Sequence, residues 1–152
     1  KYNMDKNVIV SVSGMLFAQG KGGESEDVEV ISPGEYHWKN GKHYIRYVEI
    51  NEEFEEPIMN TLKISPDEVS IMKRGLIEST MVFNRGNFTA SHYTTPFGTL
   101  VMGIRTKDMK VSEEEQKIRV HVDYELEINY EHASDCSISI DIQSGGEQFC
   151  IS

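Results

Sequence analysis

Arg46, Arg74 and Arg105 each fall within, or at the end of, an otherwise fairly apolar stretch of the chain. A guanidinium in such a place has two uses. It clamps a ligand carboxylate or phosphate through two parallel N–H···O bonds, or it pairs with a carboxylate of the chain itself. Pairing within the chain or covering a rim is the commoner use, because charged groups seldom stay buried unpaired. Glu49 is the carboxylate to consider: it shares a strand face with Ile45 and Tyr47 and is expected at the edge of an interior. Glu49, His92 and Tyr93 are the residues that acid/base chemistry would use if they met at one cavity. His92 shares a face with Phe88 and Ala90, which makes it a candidate for the interior, where a hydrogen-bonded structural histidine is commoner than a general base. Met81, Phe83, Tyr47, Leu100, Met102, Ile104, Tyr124 and Leu126 form the expected apolar wall. Met adapts to irregular gaps and Tyr brings a polar tip, as ligand pockets need, although simple core packing is the commoner use of both. The candidate ligand-binding set is thus Arg46, Tyr47, Glu49, Arg74, Met81, Phe83, His92, Tyr93, Arg105 and Tyr124.

No motif of defined chemistry stands beside these residues. The five histidines, His37, His43, His92, His121 and His132, show no helical His-x-x-x-His spacing and no neighbouring cysteine pair, so neither a metal nor a cofactor is expected. Ser11, Ser13, Ser137 and Ser139 sit in no nucleophile elbow and read as outer-face strand residues. The glycine-rich stretch at 20–23 contains Lys21 but lacks the ending and the following helix of a phosphate loop. Asn87, Phe88 and Thr89 match a glycosylation acceptor pattern that is idle without secretion. Cys136 and Cys150 have no metal-type or redox-type spacing, which agrees with a reducing, cytoplasmic setting.

These side chains are to be positioned by strands. Residues 117–131 alternate without a break, with Ile118, Val120, Val122, Tyr124, Leu126, Ile128 and Tyr130 on one face and polar residues on the other, including His121 in solvent. Shorter runs at 8–17, 27–31, 35–39, 43–50, 58–64, 68–74, 79–83, 88–94, 100–106 and 136–142 are separated by Gly, Pro and Asn. Pro33 and Gly34 are expected to make a turn, Asn40 and Gly41 a two-residue hairpin, and 112–116 a polar link. About ten strands joined mostly by short turns would leave costly edges in an open sheet, and closure removes them. The expectation is an all-β, antiparallel, mostly up-and-down barrel of eight to ten strands; a two-sheet sandwich is the alternative. One domain over 7–143 is expected, after a flexible terminus at 1–6 and before a loosely ordered tail at 144–152. Either the true start has been trimmed or Met4 is that start.

The chain has 152 residues and a formal charge of -10, with 25 acidic against 15 basic side chains, which argues against a nucleic-acid partner. No apolar run is long enough to span a bilayer, so no membrane partner is expected.

Tyr93, Thr94, Thr95, Pro96, Phe97 and Gly98 carry a Tyr-x-Thr-Pro-x-Gly turn that resembles the YwiB-like family of uncharacterised bacterial proteins. Further matching pieces follow the family's order: Tyr44, Ile45, Tyr47 and Glu49; Arg74 and Gly75; Met81, Phe83 and Gly86; Thr106; and Tyr124, Glu125, Leu126, Glu127 and Asn129. The resemblance implies a lipocalin-like (calycin-type) barrel, a domain of unknown function with no catalytic residues to transfer. Thr94, where the family pattern has Glu, and the acidic stretch 52–56 depart from it. Three functional readings stand open. The first is a non-enzymatic binding protein for a small, partly apolar, anionic ligand oriented by Arg46, Arg74 or Arg105. The second is a small enzyme using Glu49, His92 or Tyr93. The third is an interaction module whose acidic surface meets a basic protein.

Overall fold

A computed structural model of the chain describes residues 4–14, 29–50 and 56–145. The expected glycine-rich loop at 20–23, the acidic stretch from 51 to 55, Cys150 and the tail beyond 145 lie outside the described residues. The alternating runs form ten strands: β1 Asn7–Ser13, β2 Glu29–Lys39, β3 Lys42–Ile50, β4 Pro57–Ile64, β5 Val69–Gly75, β6 Ser79–Phe83, β7 Phe88–Thr95, β8 Gly98–Glu114, β9 Lys117–Ile128 and β10 Glu131–Ser144. They make one antiparallel sheet in the order β6-β5-β4-β3-β2-β1-β10-β9-β8-β7. The sheet curls until its two edge strands, β6 and β7, face each other. The result is an all-β, up-and-down, nearly closed barrel. Among the described residues no helix is long and apolar enough to cross a membrane.

The β6–β7 seam has little backbone ladder. Glu78, just before β6, exchanges two main-chain bonds with Thr94 of β7, at 3.0 and 2.9 Å. Beyond that bridge, side chains take over: the Ser91 hydroxyl donates to the Thr80 carbonyl at 2.6 Å, and the Thr89 hydroxyl to the Val82 carbonyl at 3.0 Å. An edge strand presents unpaired polar groups, and here Ser and Thr on the interior-pointing positions of β7 satisfy carbonyls that a full ladder would have used.

Inside, period-two alternation stacks cross-strand rows. Met81, Ile71, Leu62, Ile45 and Tyr36 align through the β6–β5–β4–β3–β2 register, and all are buried. The next row runs Phe83, Val69, Ile64 and His43, with the Phe83 ring 5.0 Å from that of Tyr124 on β9. Each large side chain so buried contributes roughly 1.5–3 kcal/mol. His43 is fully buried yet satisfied. Its Nδ1 lies 2.8 Å from the Tyr36 hydroxyl and its Nε2 2.9 Å from Glu113 Oε2, tying the far end of β8 to β2 and β3. The β6–β7 turn closes this same end, with the Arg85 guanidinium donating to the Met109 carbonyl.

Several local expectations change. Pro33 and Gly34 make no turn but a corner within β2, where the strand leaves its pairing with β1 and takes up β3: Glu35 pairs with both Asn7 and Arg46. A Cβ at Gly34 would stand 2.9 Å from the Arg46 carbonyl oxygen, so the missing side chain is what lets the strands approach. The long strand of 117–131 ends at Ile128, since Asn129 and Tyr130 take positive φ (51° and 71°) and form the hairpin turn, with Tyr130 exposed. The 112–116 link is the end of β8 and a turn, and 100–106 is part of a 17-residue strand bent by a bulge between Thr106 and Asp108. Asn40 and Gly41 form the expected two-residue turn, both at positive φ. At the N-terminus Met4 packs on the core and the Tyr36 amide donates to the Lys6 carbonyl, so docking begins before residue 7; at the other end β10 runs to Ser144.

Removing the seam hydroxyls should loosen closure without touching the core. Thr89→Val and Ser91→Ala are each expected to cost about 1 kcal/mol in denaturant unfolding, and the double variant should show faster amide exchange in β6 and β7 than in β9. Equal exchange in all three strands would contradict this account of the seam.

Candidate functional site

One row nearer the opposite end, the interior turns polar. Ser79, Lys73, Asn60 and Tyr47 align across β6, β5, β4 and β3, and all four are buried. Each belongs to the inward parity of its strand: Ser79 with Met81 and Phe83, Lys73 with Val69 and Ile71, Asn60 with Ile58 and Leu62, Tyr47 with Ile45. Glu49, two residues beyond Tyr47, stands at the rim with its side chain about one-third exposed. Lys73 Nζ donates to Glu49 Oε1 at 3.1 Å and to Asn60 Oδ1 at 2.9 Å, and Asn60 Nδ2 donates to Glu49 Oε1 at 3.0 Å. Ammonium, amide and carboxylate thus close a triangle, which is the condition for tolerating charge in a barrel. The Ser79 hydroxyl, beside Lys73, is the one buried side-chain oxygen or nitrogen among the described residues with no hydrogen-bond partner.

Tyr93 completes this rim from across the seam. Its neighbour Thr94 makes the closing bridge with Glu78, and the following turn is tight: the Phe97 amide donates to Thr95 Oγ1 at 3.0 Å, and Thr95 Oγ1 donates to the Gly98 carbonyl at 3.1 Å. Gly98 has φ 138°, a conformation that favours glycine. The Tyr-x-Thr-Pro-x-Gly stretch therefore builds the hairpin that sets Tyr93 near Glu49. Burial first, and the Glu49 charge second, push the Tyr93 phenol up to about 12. The same two causes raise Tyr47 above its ordinary range. Both phenols are neutral at physiological pH. On β8 and β9 the inward positions at this end are apolar: Met102 is buried, Leu126 and Ile128 are half-buried, and Met102 pairs with Ile128 and Ile104 with Leu126. The mouth has one polar arc, β3 to β7, and one apolar arc, β8 and β9.

Of the sequence candidates, the structure brings together Tyr47, Glu49 and Tyr93. Met81, Phe83 and Tyr124 are deeper core residues; burial, with a hydrogen bond to the Cys136 thiol, raises the Tyr124 phenol. Arg46, Arg74, Arg105 and His92 lie exposed on the outer face, contrary to the interior role considered for them. Parity is the reason. Arg46 falls between Ile45 and Tyr47, Arg74 follows Lys73, Arg105 follows Ile104 and His92 precedes Tyr93, so each points opposite to an inward neighbour. Arg105 lies over the Phe88 ring, 5.1 Å from its centroid, with Glu125 at 4.0 Å, and Arg74 contacts the Met72 sulfur. Glu49 pairs with Lys73, not with an arginine. Leu100, expected inward, is exposed at the rim. Without His92, the acid/base set retains only Glu49 and Tyr93. His121 is exposed as expected, bonded to Ser139 and Asp123.

An open cleft of about 420 Å³ lies elsewhere, at the β8 bulge, lined by Lys107, Asp108, Asp123, Tyr124, Asp135, Cys136 and Ser137. The Ser137 hydroxyl and, next, His121 hold the Asp123 carboxyl below its ordinary value. Within its lining the Ser137 hydroxyl donates to Asp123 at 2.6 Å, and toward neighbouring residues Asp123 lies 3.1 Å from His121 and Lys107 3.8 Å from Glu125.

Alkaline titration reads the rim directly. The folded barrel favours the protonated Tyr93 phenol, so its contribution to stability is complete below the free phenol's value of 10.0 and is lost as pH rises toward about 12. Wild type should lose resistance to denaturant across that window, and Tyr93→Phe should lose less. An identical decline in both proteins would mean that the Tyr93 phenol is neither buried nor beside Glu49.

The fold and the family agree with known proteins. The chain is 27% identical over 123 residues to the Uncharacterized beta-barrel protein YwiB of Bacillus subtilis (strain 168), covering 81% of this chain and 85% of that protein. It superimposes on the crystal structure of the ywiB protein from Bacillus subtilis with a TM-score of 0.75, covering 94% of this chain and 96% of that one at 23% identity. Residues 15–140 match the family described as Domain of unknown function (DUF1934), and the chain belongs to that family.

Proposed function

We propose that this barrel is a binding protein for a small, partly apolar molecule seated in its mouth, with the polar end of the ligand on the Lys73–Asn60–Glu49 triangle and its apolar part on Met102, Leu126 and Ile128. The observation that carries the reading is the buried Ser79 hydroxyl, which has no hydrogen-bond partner among the described residues, beside a lysine with an N–H that none of them accepts. Buried polar groups in a purely structural brace are commonly satisfied, because an unmade buried hydrogen bond costs about 1–3 kcal/mol. Ligand sites combine a mostly apolar wall with a few convergent polar groups, as this rim does. The charge balance shifts the ligand away from an anion. The arginines that would hold one are in solvent, and Glu49 already neutralises Lys73. Cytoplasmic location belongs to the same reading, supported by the sparse, unpaired spacing of the two cysteines.

Native mass spectrometry of protein purified without denaturation tests the proposal. The expected result is a recurrent mass excess in wild type that vanishes on denaturation and is absent from folded Lys73→Met. A mass excess of equal size and occupancy in Lys73→Met would contradict it.

A further inference from the structure

Asn60 displays what the Lys73–Glu49 pair does to a carboxamide. An ammonium only donates and an ionised carboxylate only accepts, so the amide has one arrangement available: Oδ1 toward Lys73 Nζ, at 2.9 Å, and Nδ2 toward Glu49 Oε1, at 3.0 Å. The acceptor and donor of an amide sit side by side on one carbon. They match an ammonium and a carboxylate oxygen that are themselves 3.1 Å apart.

Asn60 occupies one side of the pair only. Two of the three Lys73 donors are used, both bonds to Glu49 fall on Oε1, and Oε2 accepts nothing among the described residues. Ser79, only 7% exposed, adds a hydroxyl without a partner among the described residues, at the cross-strand position next to Lys73. The Glu49 side chain is about one-third exposed at the rim. An anion would be served poorly here, since Lys73 is already neutralised, Glu49 would repel it, and the chain carries a formal charge of -10. A neutral group with an acceptor and a donor side by side would use both partners at once.

We propose that the open side of the Lys73–Glu49 pair takes a carboxamide or its cyclic equivalent, a lactam or urea edge, its carbonyl accepting from Lys73 and Ser79 and its N–H donating to Glu49 Oε2. This rests on the mouth being the binding site and names the head group that it selects.

The test is an NMR titration of the isotope-labelled full chain with hexanamide and hexanoate, which share an apolar tail and differ in the head. Hexanamide should move the backbone amides of Lys73, Ser79 and Tyr93 saturably and bind at least about tenfold tighter than hexanoate. Glu49→Gln, which leaves the Lys73 charge uncompensated, should raise hexanoate affinity by about tenfold. Lys73→Met, with a dispersed spectrum showing that it folds, should lose the hexanamide shifts. Hexanoate binding as tightly as hexanamide at the same amides in wild type would overturn the inference and leave the mouth as the site. Shifts from neither probe at the rim would take down both.

Discussion

A curled sheet must do something with its last two edges, and in this barrel everything at the mouth follows from how that is done. β6 and β7 are consecutive in the chain yet do not form an ordinary hairpin. They meet through one backbone bridge, Glu78 with Thr94, and through two hydroxyls of β7 that reach the carbonyls of β6. The bridge fixes the height at which Tyr93 enters the interior, and therefore its approach to Glu49. At the other end the Arg85 turn and the far end of β8 close over the interior, with His43 joining Tyr36 and Glu113. One end is braced by a satisfied network, while the other holds a network with bonds still to make.

The architecture was legible because period two is a strong constraint: a one-residue slip would turn every apolar face of β9 or β10 into water. Ser79–Phe83 emerged from its alternation, as did the Asn40–Gly41 turn. The corner at Pro33 and Gly34 was not legible, because the same residues that make a turn also let one strand change partners. Nor was the turn at Asn129 and Tyr130, where a tyrosine takes a conformation usually left to Gly or Asn.

The site was legible in part, and the reason is instructive. Applied strictly, the parity that placed Tyr47 and Glu49 inward also excludes Arg46, and the parity of Val69 and Ile71 selects Lys73 over Arg74. Arginine drew attention for its chemistry, whereas the alternation of Ile58, Asn60, Leu62 and Ile64 or of Ser79, Met81 and Phe83 carried the information on position. The partnership of Lys73 with Glu49 lies beyond any local pattern, since it spans β5 and β3 and depends on β4 lying between them.

A buried ion pair is weak evidence for stability: apolar residues of similar volume often do as well or better, by about 1–4 kcal/mol. That fact separates a brace from a binding apparatus. The decisive measurement is denaturant unfolding, alongside ligand occupancy, of the variant carrying Glu49→Leu, Asn60→Leu and Lys73→Met together. If the triangle serves binding, this variant will resist denaturant as well as wild type or better and hold no ligand. If it unfolds well before wild type yet retains the ligand while folded, the triangle is a brace and the mouth is not the site.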